Sequence, residues 1–330
     1  MTIARILLAV VFTAVLLYIA RTTSRGQPEH FTHSENGFSF EMTTIPKVYQ
    51  SDTARITVMI TGPVGDSLTP VIRHAKFGQD ETTPLHKYET TPLVLSDSAS
   101  GRWENLATGG LIGGRKWYYF QIRDRVGGKR AEFTPAPNQP FIMKYIGPTP
   151  SWIVFTHIVL MFATVFFVVM GMLDGVDLAR GAPEVRPMAL MYFWAAVVTF
   201  LGGYPFGFAM NWYTFGTVWE GVPFGTDATD NKTQLLFVYL LLVMLASLGS
   251  LTRGKLGRDV FRARTLGVLA VLGFVVMLAI YLIPHSIQFT PLLTKVVCWS
   301  FIGAVAAFYL FGLIRTLLPK RSGKKQDRPQ

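Results

Sequence analysis

Two histidines and a methionine are the side chains of this chain best placed to hold a cofactor. His157 lies inside an apolar and aromatic run that begins at Trp152, and Met161 follows four positions later, hence on the same face of a helix. His285 comes directly after Pro284, at the end of another apolar run. Imidazoles on two facing helices suit a b-type haem, and bis-histidine ligation suits electron transfer rather than oxygen activation. Met161 can stand in for His285, or serve copper through its soft sulfur. Each residue also has a plain structural reading. A histidine near a membrane interface hydrogen-bonds a neighbouring helix, and a histidine in a loop is simply hydrated.

Other candidates are weaker. His30-x-x-His33, close to Met42, has the donor types for copper, but it falls in polar text that reads as a linker. His74 and His86 have no partner that sequence can name. Lys295, one turn into the last apolar run, reads as a lysine that snorkels to the interface. Asp227, Asp230 and Asn231 lack the spacing of a calcium loop, and capping of the next helix explains Asp230 and Asn231 better, with Asn231 and Gln234 spaced as a capping box. Phosphate-binding lysine loops, nucleophile elbows and His-Glu-x-x-His are all missing, so no catalytic residue is assigned. The single cysteine, Cys298, rules out an intrachain disulfide and attachment of a c-type haem through paired cysteines.

The most distinctive text is residues 203–233, which read as a long connection rich in Trp, Tyr and Phe. Long connections are commonly functional. Trp212, Tyr213, Trp219 and Phe224 are its candidates for docking a partner. They also suit the aromatic belt at the headgroup level of a bilayer.

These residues need a frame, and composition supplies it. Half of the 330 residues are hydrophobic and 15% are charged, and the deficit of charge is concentrated after residue 150. Five apolar runs follow, about Trp152–Leu173, Met188–Tyr204, Gln234–Leu251, Leu266–Ile283 and Leu292–Leu313, each near the length that crosses a bilayer. Pro187 and Pro291 stand where a first helical turn tolerates proline. Gly171 and Gly175 form Gly-x-x-x-Gly, a site for close helix contact. An earlier run, Ile6–Ala20, sits behind Arg5. It is short for a span and is either a signal peptide or an uncleaved anchor, and Tyr18-Ile19-Ala20 makes a poor cleavage site.

The net charge of +11 has a location. Residues 21–150 hold 15 basic and 12 acidic side chains, close to neutrality, which argues against nucleic-acid binding. The excess lies at 252–265 (Arg253, Lys255, Arg258, Arg262, Arg264), at 174–187 (Arg180, Arg186) and in the tail after Leu313. The connections 205–233 and 284–290 are poor in Lys and Arg. Basic loops stay inside. The pattern therefore predicts a bacterial inner-membrane protein with both termini cytoplasmic and residues 21–150 outside.

Within that exported part, Arg55-Ile56-Thr57-Val58-Met59-Ile60-Thr61 alternates as a half-buried strand does. Trp117-Tyr118-Tyr119-Phe120-Gln121-Ile122-Arg123 has the same look, and glycine-rich turns punctuate the region. The stretch Gly114–Asp124, followed by Gly127-Gly128 and Pro135, resembles the late strands of an immunoglobulin-like or fibronectin type III-like domain. That resemblance implies a β-sandwich over about 36–147 and says nothing of function.

The expected organisation is thus an anchor or signal peptide at 1–20, a linker at 21–35 and an extracytoplasmic all-β sandwich at 36–147. A membrane α-helical bundle of five helices at 151–318 and a basic tail at 319–330 complete it. The expected function is a subunit of a membrane complex, linked to electron transfer, with the sandwich and the aromatic connection docking other subunits and extracytoplasmic proteins, and with one haem b near the outer face. A cofactor-free structural or assembly subunit is the alternative, and a transporter or metal-handling permease a third reading.

Overall fold

The structure, a computed structural model, describes residues 2–24, 28–64, 67–76, 83–107, 109–283 and 290–318. Its chain forms two compact units. One contains Gly26–Pro150 together with Met210–Val218, and the other contains the remainder.

The first unit is built on eleven strands: β1 His30–Glu35, β2 Phe38–Thr43, β3 Lys47–Tyr49, β4 Ala54–Thr61, β5 Leu68–His74, β6 Glu89–Pro92, β7 Val94–Asp97, β8 Arg102–Ala107, β9 Arg115–Asp124, β10 Lys129–Phe133 and β11 Phe141–Ile146. They make two sheets. The five-stranded antiparallel one runs β1-β2-β4-β8-β7. The other runs β3-β11-β9-β5-β6 with β10 beside β9, and is mixed because β3 lies parallel to β11. One core joins both sheets: Phe40, Ile56, Val58 and Ile60 from the first meet Ile72, Tyr118, Phe120, Phe133, Phe141 and Met143 from the second. β4 alternates as expected, with Ala54, Ile56, Val58 and Ile60 buried and Arg55 exposed.

Two expectations for this region are corrected. Residues 30–35, within the stretch read as a linker, are strand β1, held in unbroken register against β2 from His30–Thr43 to Glu35–Phe38. β9 is not half-covered: Trp117 to Ile122 are all buried. Leu85 and Tyr88, ahead of β6, pack on the outer face of β9, where Tyr88, Trp117 and Tyr119 form a second small core. Arg73 pins this stretch by donating to Thr90 Oγ1 at 3.0 Å and to the carbonyl of His86 at 2.9 Å. Tyr119 donates its hydroxyl to the carbonyl of Leu85 at 3.1 Å.

The second unit is helical, and the helices of the chain are α1 Ile3–Ser24, α2 Ser151–Ala179, α3 Arg186–Leu201, α4 Gly207–Phe215 (counted with the first unit from Met210 on), α5 Ala228–Ala246, α6 Leu248–Leu251, α7 Ala263–Leu282 and α8 Pro291–Leu317. A π-turn, Gly202–Phe206, joins α3 to α4 without a break. Among the described residues five segments are long and apolar enough to cross a membrane: Ile3–Thr23, Ser151–Ala179, Arg186–Phe215, Ala263–Leu282 and Pro291–Leu317. α5 is not among them, and it opens with the polar run Thr229-Asp230-Asn231-Lys232-Thr233-Gln234.

The core of this unit draws Ala9 and Leu16 from α1, Val165, Val168 and Leu178 from α2, Tyr192 and Ala195 from α3, Leu240 and Val243 from α5, and Leu266 and Ala270 from α7. α1 is therefore packed as a member of the bundle. Its Arg5 reaches the end of α2, with Nη2 2.7 Å from Asp177 and Nη1 3.3 Å from Asp174. Glycines set the closest approaches. A Cβ on Gly171 would collide with the Tyr192 ring, and one on Gly175 would collide with Ala270 and the carbonyl of Gly267. Tyr192 and Tyr239 donate to successive carbonyls of α7, Ala270 at 2.5 Å and Leu269 at 3.0 Å.

Candidate functional site

The π-turn is the irregular feature of the bundle and lies beside the predicted ligands. Pro205 has no N–H, and its ring crowds the carbonyl four residues earlier, so an ordinary α-turn cannot continue through it. A widened turn takes up the residue and leaves carbonyls in need of donors. His157 supplies one: its Nδ1 is 2.9 Å from the carbonyl oxygen of Gly202. With Nδ1 as donor, Nε2 is the acceptor nitrogen of the neutral ring. The fit at Gly202 is tight, since a Cβ would stand 3.0 Å from the Cβ of Leu160 and 3.2 Å from the sulfur of Met161. The seam between α2 and the π-turn is thus closed on the side of Gly202. A metal or haem iron would be met by Nε2.

Met161 shares this face of α2, as its spacing predicted, and its carbonyl accepts from the Tyr281 hydroxyl at 2.9 Å. His285 lies outside the described residues. Among the described residues no group of three or more His, Cys, Asp or Glu is placed to hold a metal ion.

The text expected to be a long connection is largely ordered. Helix continues to Phe215, and residues 219–227 form a small loop tied to the start of α5. Asp227 caps α5, accepting from the amides of Thr229 at 2.8 Å and Asp230 at 3.0 Å. Asp230 accepts from the amide of Glu220 at 2.6 Å. Asn231 accepts from Val222 at 2.8 Å and donates to the carbonyl of Asp227 at 2.8 Å. The helix therefore starts a turn before the expected capping box, and Asn231 fastens the loop instead of capping. Trp219 stacks on Tyr204 with centroids 5.6 Å apart and meets the edge of Phe208, so it anchors the loop from beneath. Lys232, buried, donates to the carbonyl of Ile283 at 2.7 Å. At the tip Phe224 is 86% exposed, its amide held by the carbonyl of Gly221 at 3.0 Å.

Trp212 and Tyr213 are exposed side chains of the unit that contains the sandwich. There Thr214 accepts through its carbonyl from the amide of Gly147 at 3.0 Å, and its hydroxyl lies 2.6 Å from that of Thr149. Gly113 is needed beneath Phe215, whose carbonyl a Cβ would strike.

The remaining candidates are explained locally. His30 and His33 point to opposite faces of β1: His30 is 3.5 Å from Glu41, while His33 stacks over Phe133. They do not form a chelate, and Met42 is buried in the sandwich core. His74 is bonded to Thr91 Oγ1 at 3.1 Å and to the carbonyl of Ala75 at 3.3 Å, and burial, with Lys116 nearby, pushes its imidazole below the usual histidine range. The carbonyl of His86 takes the Arg73 guanidinium. Lys295 lies on the exposed side of α8.

Sequence reasoning missed the partner of His157, the fastening of the 219–227 loop, the bond from Lys232 and the Arg5 ion pairs. The signals were present as a Gly-Gly-x-Pro run, a cluster of Asp and Asn, and acids at the end of α2, but each needs a partner distant in sequence. No known protein family matches the chain, and comparison with curated proteins finds no significant relative.

Proposed function

We propose that this protein is a docking subunit of a bacterial membrane complex, anchored by its helices and displaying an exported sandwich and the loop 219–227 to an extracytoplasmic partner. The observation that carries this reading is the loop. Asp227, Asp230 and Asn231 are consumed in fastening it, Trp219 wedges it from below, and Phe224 is the large apolar side chain of the loop that is left exposed, at 86%. Order imposed before binding removes the entropy cost of binding, and a central aromatic is the commonest anchor of an interface. The positions of basic residues support cytoplasmic termini. The pairing of Arg5, at the start of α1, with Asp177, at the end of α2, puts those two ends on one side, so the helices run in opposite directions as that topology requires. The strand order β2-β4-β8-β7 against β11-β9-β5 supports an immunoglobulin-like sandwich, in which four strands face three in that connectivity.

The test is a photo-crosslinking residue at position 224 in cells. A discrete protein adduct is expected, and Phe224→Ala should weaken co-purification of that partner by roughly tenfold, as loss of an anchor worth more than ~1 kcal/mol does. Adducts with lipid alone would assign Phe224 to the aromatic belt and defeat the docking reading.

One observation favours a second, redox reading of the same subunit. A metal-bound imidazole ordinarily donates its other nitrogen to a carbonyl or carboxylate, and His157 already does so to Gly202. In this reading Nε2 binds the iron of a haem b, with His285 or Met161 as second ligand. Dithionite-reduced minus oxidised spectra of the purified protein should then give a b-type α-band that His157→Ala abolishes. A folded, colourless and metal-free protein ends this reading and leaves docking untouched.

A further inference from the structure

We propose that the end of the bundle carrying the α2–α3 turn and the start of α7 binds the phosphate of an anionic phospholipid, through Arg180, Arg186 and Arg264. α2 ends at Ala179, the chain turns through Gly181 (φ 105°), and α3 begins at Arg186. The first turn of α7 lies against this corner, because Gly175 and Gly267 bring α2 and α7 into backbone contact. A Cβ on Gly181 would stand 3.8 Å from Arg264 Nη2. Three guanidinium groups from two separate connections are therefore gathered at one end of the helices.

None of the three enters an ion pair among the described residues, and Nε of Arg186 is buried without a hydrogen-bond partner. Of the acids near this end, three are engaged elsewhere. Asp174 and Asp177 hold Arg5, and Asp259 takes both the amide and the hydroxyl of Ser250, at 2.7 and 2.5 Å. Glu184, the acid of the turn itself, is exposed. α3 and α7 each begin without an acidic residue in the first turn and without a side-chain cap, so their free amides add to the positive field. Planar guanidinium forks match phosphate oxygens better than lysine does.

The surface above Arg264 chooses the source of the phosphate. Val268, Leu272 and Val275 follow it at four, eight and eleven residues, hence on the same face of α7, and all three are exposed. A headgroup at the arginines would lay an acyl chain along this stripe, whereas a free anion would leave it unused. Basic pockets between helices at a membrane face are the common form of anionic-lipid site. The inference rests on the helices lying in a bilayer and is independent of the docking reading.

The test is native mass spectrometry of the full-length protein in detergent, titrated with phosphatidylglycerol and with phosphatidylcholine. Retention of phosphatidylglycerol over phosphatidylcholine is expected. The pair R186Q/R264Q should weaken it by roughly tenfold or more, while R253Q/K255Q, an equal loss of charge in the 252–262 loop, should leave it unchanged. Should the glutamine pair fail to fold, R186K/R264K reads the same site, with a several-fold loss expected because the forks are gone. Equal loss in the site pair and the loop pair would reduce the effect to a diffuse field. Absence of any preference, or displacement by excess inorganic phosphate, would overturn the lipid site.

Discussion

Gly171, Gly175 and Gly267 fix how near α2 can come to α3 and α7. A side chain at 175 meets Ala270 and the carbonyl of Gly267, both on the rigid part of a neighbouring helix, so nothing can move aside cheaply. Gly175→Leu should therefore destabilise the solubilised bundle by ~1–3 kcal/mol, the usual cost of overpacking, and lower its midpoint of thermal unfolding. Gly303→Leu on α8, where a Cβ meets nothing, serves as the neutral control. The Gly-x-x-x-Gly pattern was legible because it is local. The roles of His157 and Asn231 were only half legible: residue type and helix face could be read, but the carbonyl of Gly202 and the amide of Val222 come from segments that only the fold brings near. His30 and His33 show the opposite error, in which close spacing suggests a chelate that a strand, by sending alternate side chains to opposite faces, forbids.

Elements were legible where hydrophobic period and length agree. Four of the five apolar runs fall on helices long and apolar enough to span, and Pro187 and Pro291 stand in first turns as expected, whereas Gln234–Leu251, expected as a fifth span, is broken at Ser247 between α5 and α6 and is not among them. The boundaries failed where a partner decides them. Gly202-Gly203 and Pro205 read as an ending, yet a π-turn carries the helix on to Phe215. Strand β1 has no apolar alternation strong enough to declare itself and is made by its pairing with β2. For α1, the sequence favoured an uncleaved anchor over a leader without settling the choice, whereas its packing, through Ala9, Leu16 and Arg5, is that of a bundle helix. Arg5→Gln should weaken this attachment by about 1 kcal/mol, the upper range for an incompletely buried ion pair, and D174N/D177N should do the same. Protease protection of α1 in membranes measures it. An N-terminus already missing from the mature wild-type protein, by intact mass, would remove α1 from the bundle.

At the scale of the whole chain, two compact units correspond to the two kinds of text that meet near residue 150, with the apolar Met1–Arg25 joining the helical unit and with one exchange that sequence did not announce: Met210–Val218 belongs with the sandwich. Its attachments, Gly147 to Thr214 and Thr149 to Thr214, join segments more than sixty residues apart. Charge placement predicts sidedness and leaves the partner unnamed, because a docking surface is read by the molecule that binds it. The most direct test of the proposed architecture is single-cysteine labelling in intact cells with a membrane-impermeant maleimide, after Cys298→Ala removes the native thiol. Cysteines at Val126, on the sandwich, and at Phe224 should label at once, and a cysteine at Leu256, in the basic loop, should label only after permeabilisation. Labelling of position 256 in intact cells, or protection of 126 and 224, would contradict an exported sandwich and docking loop.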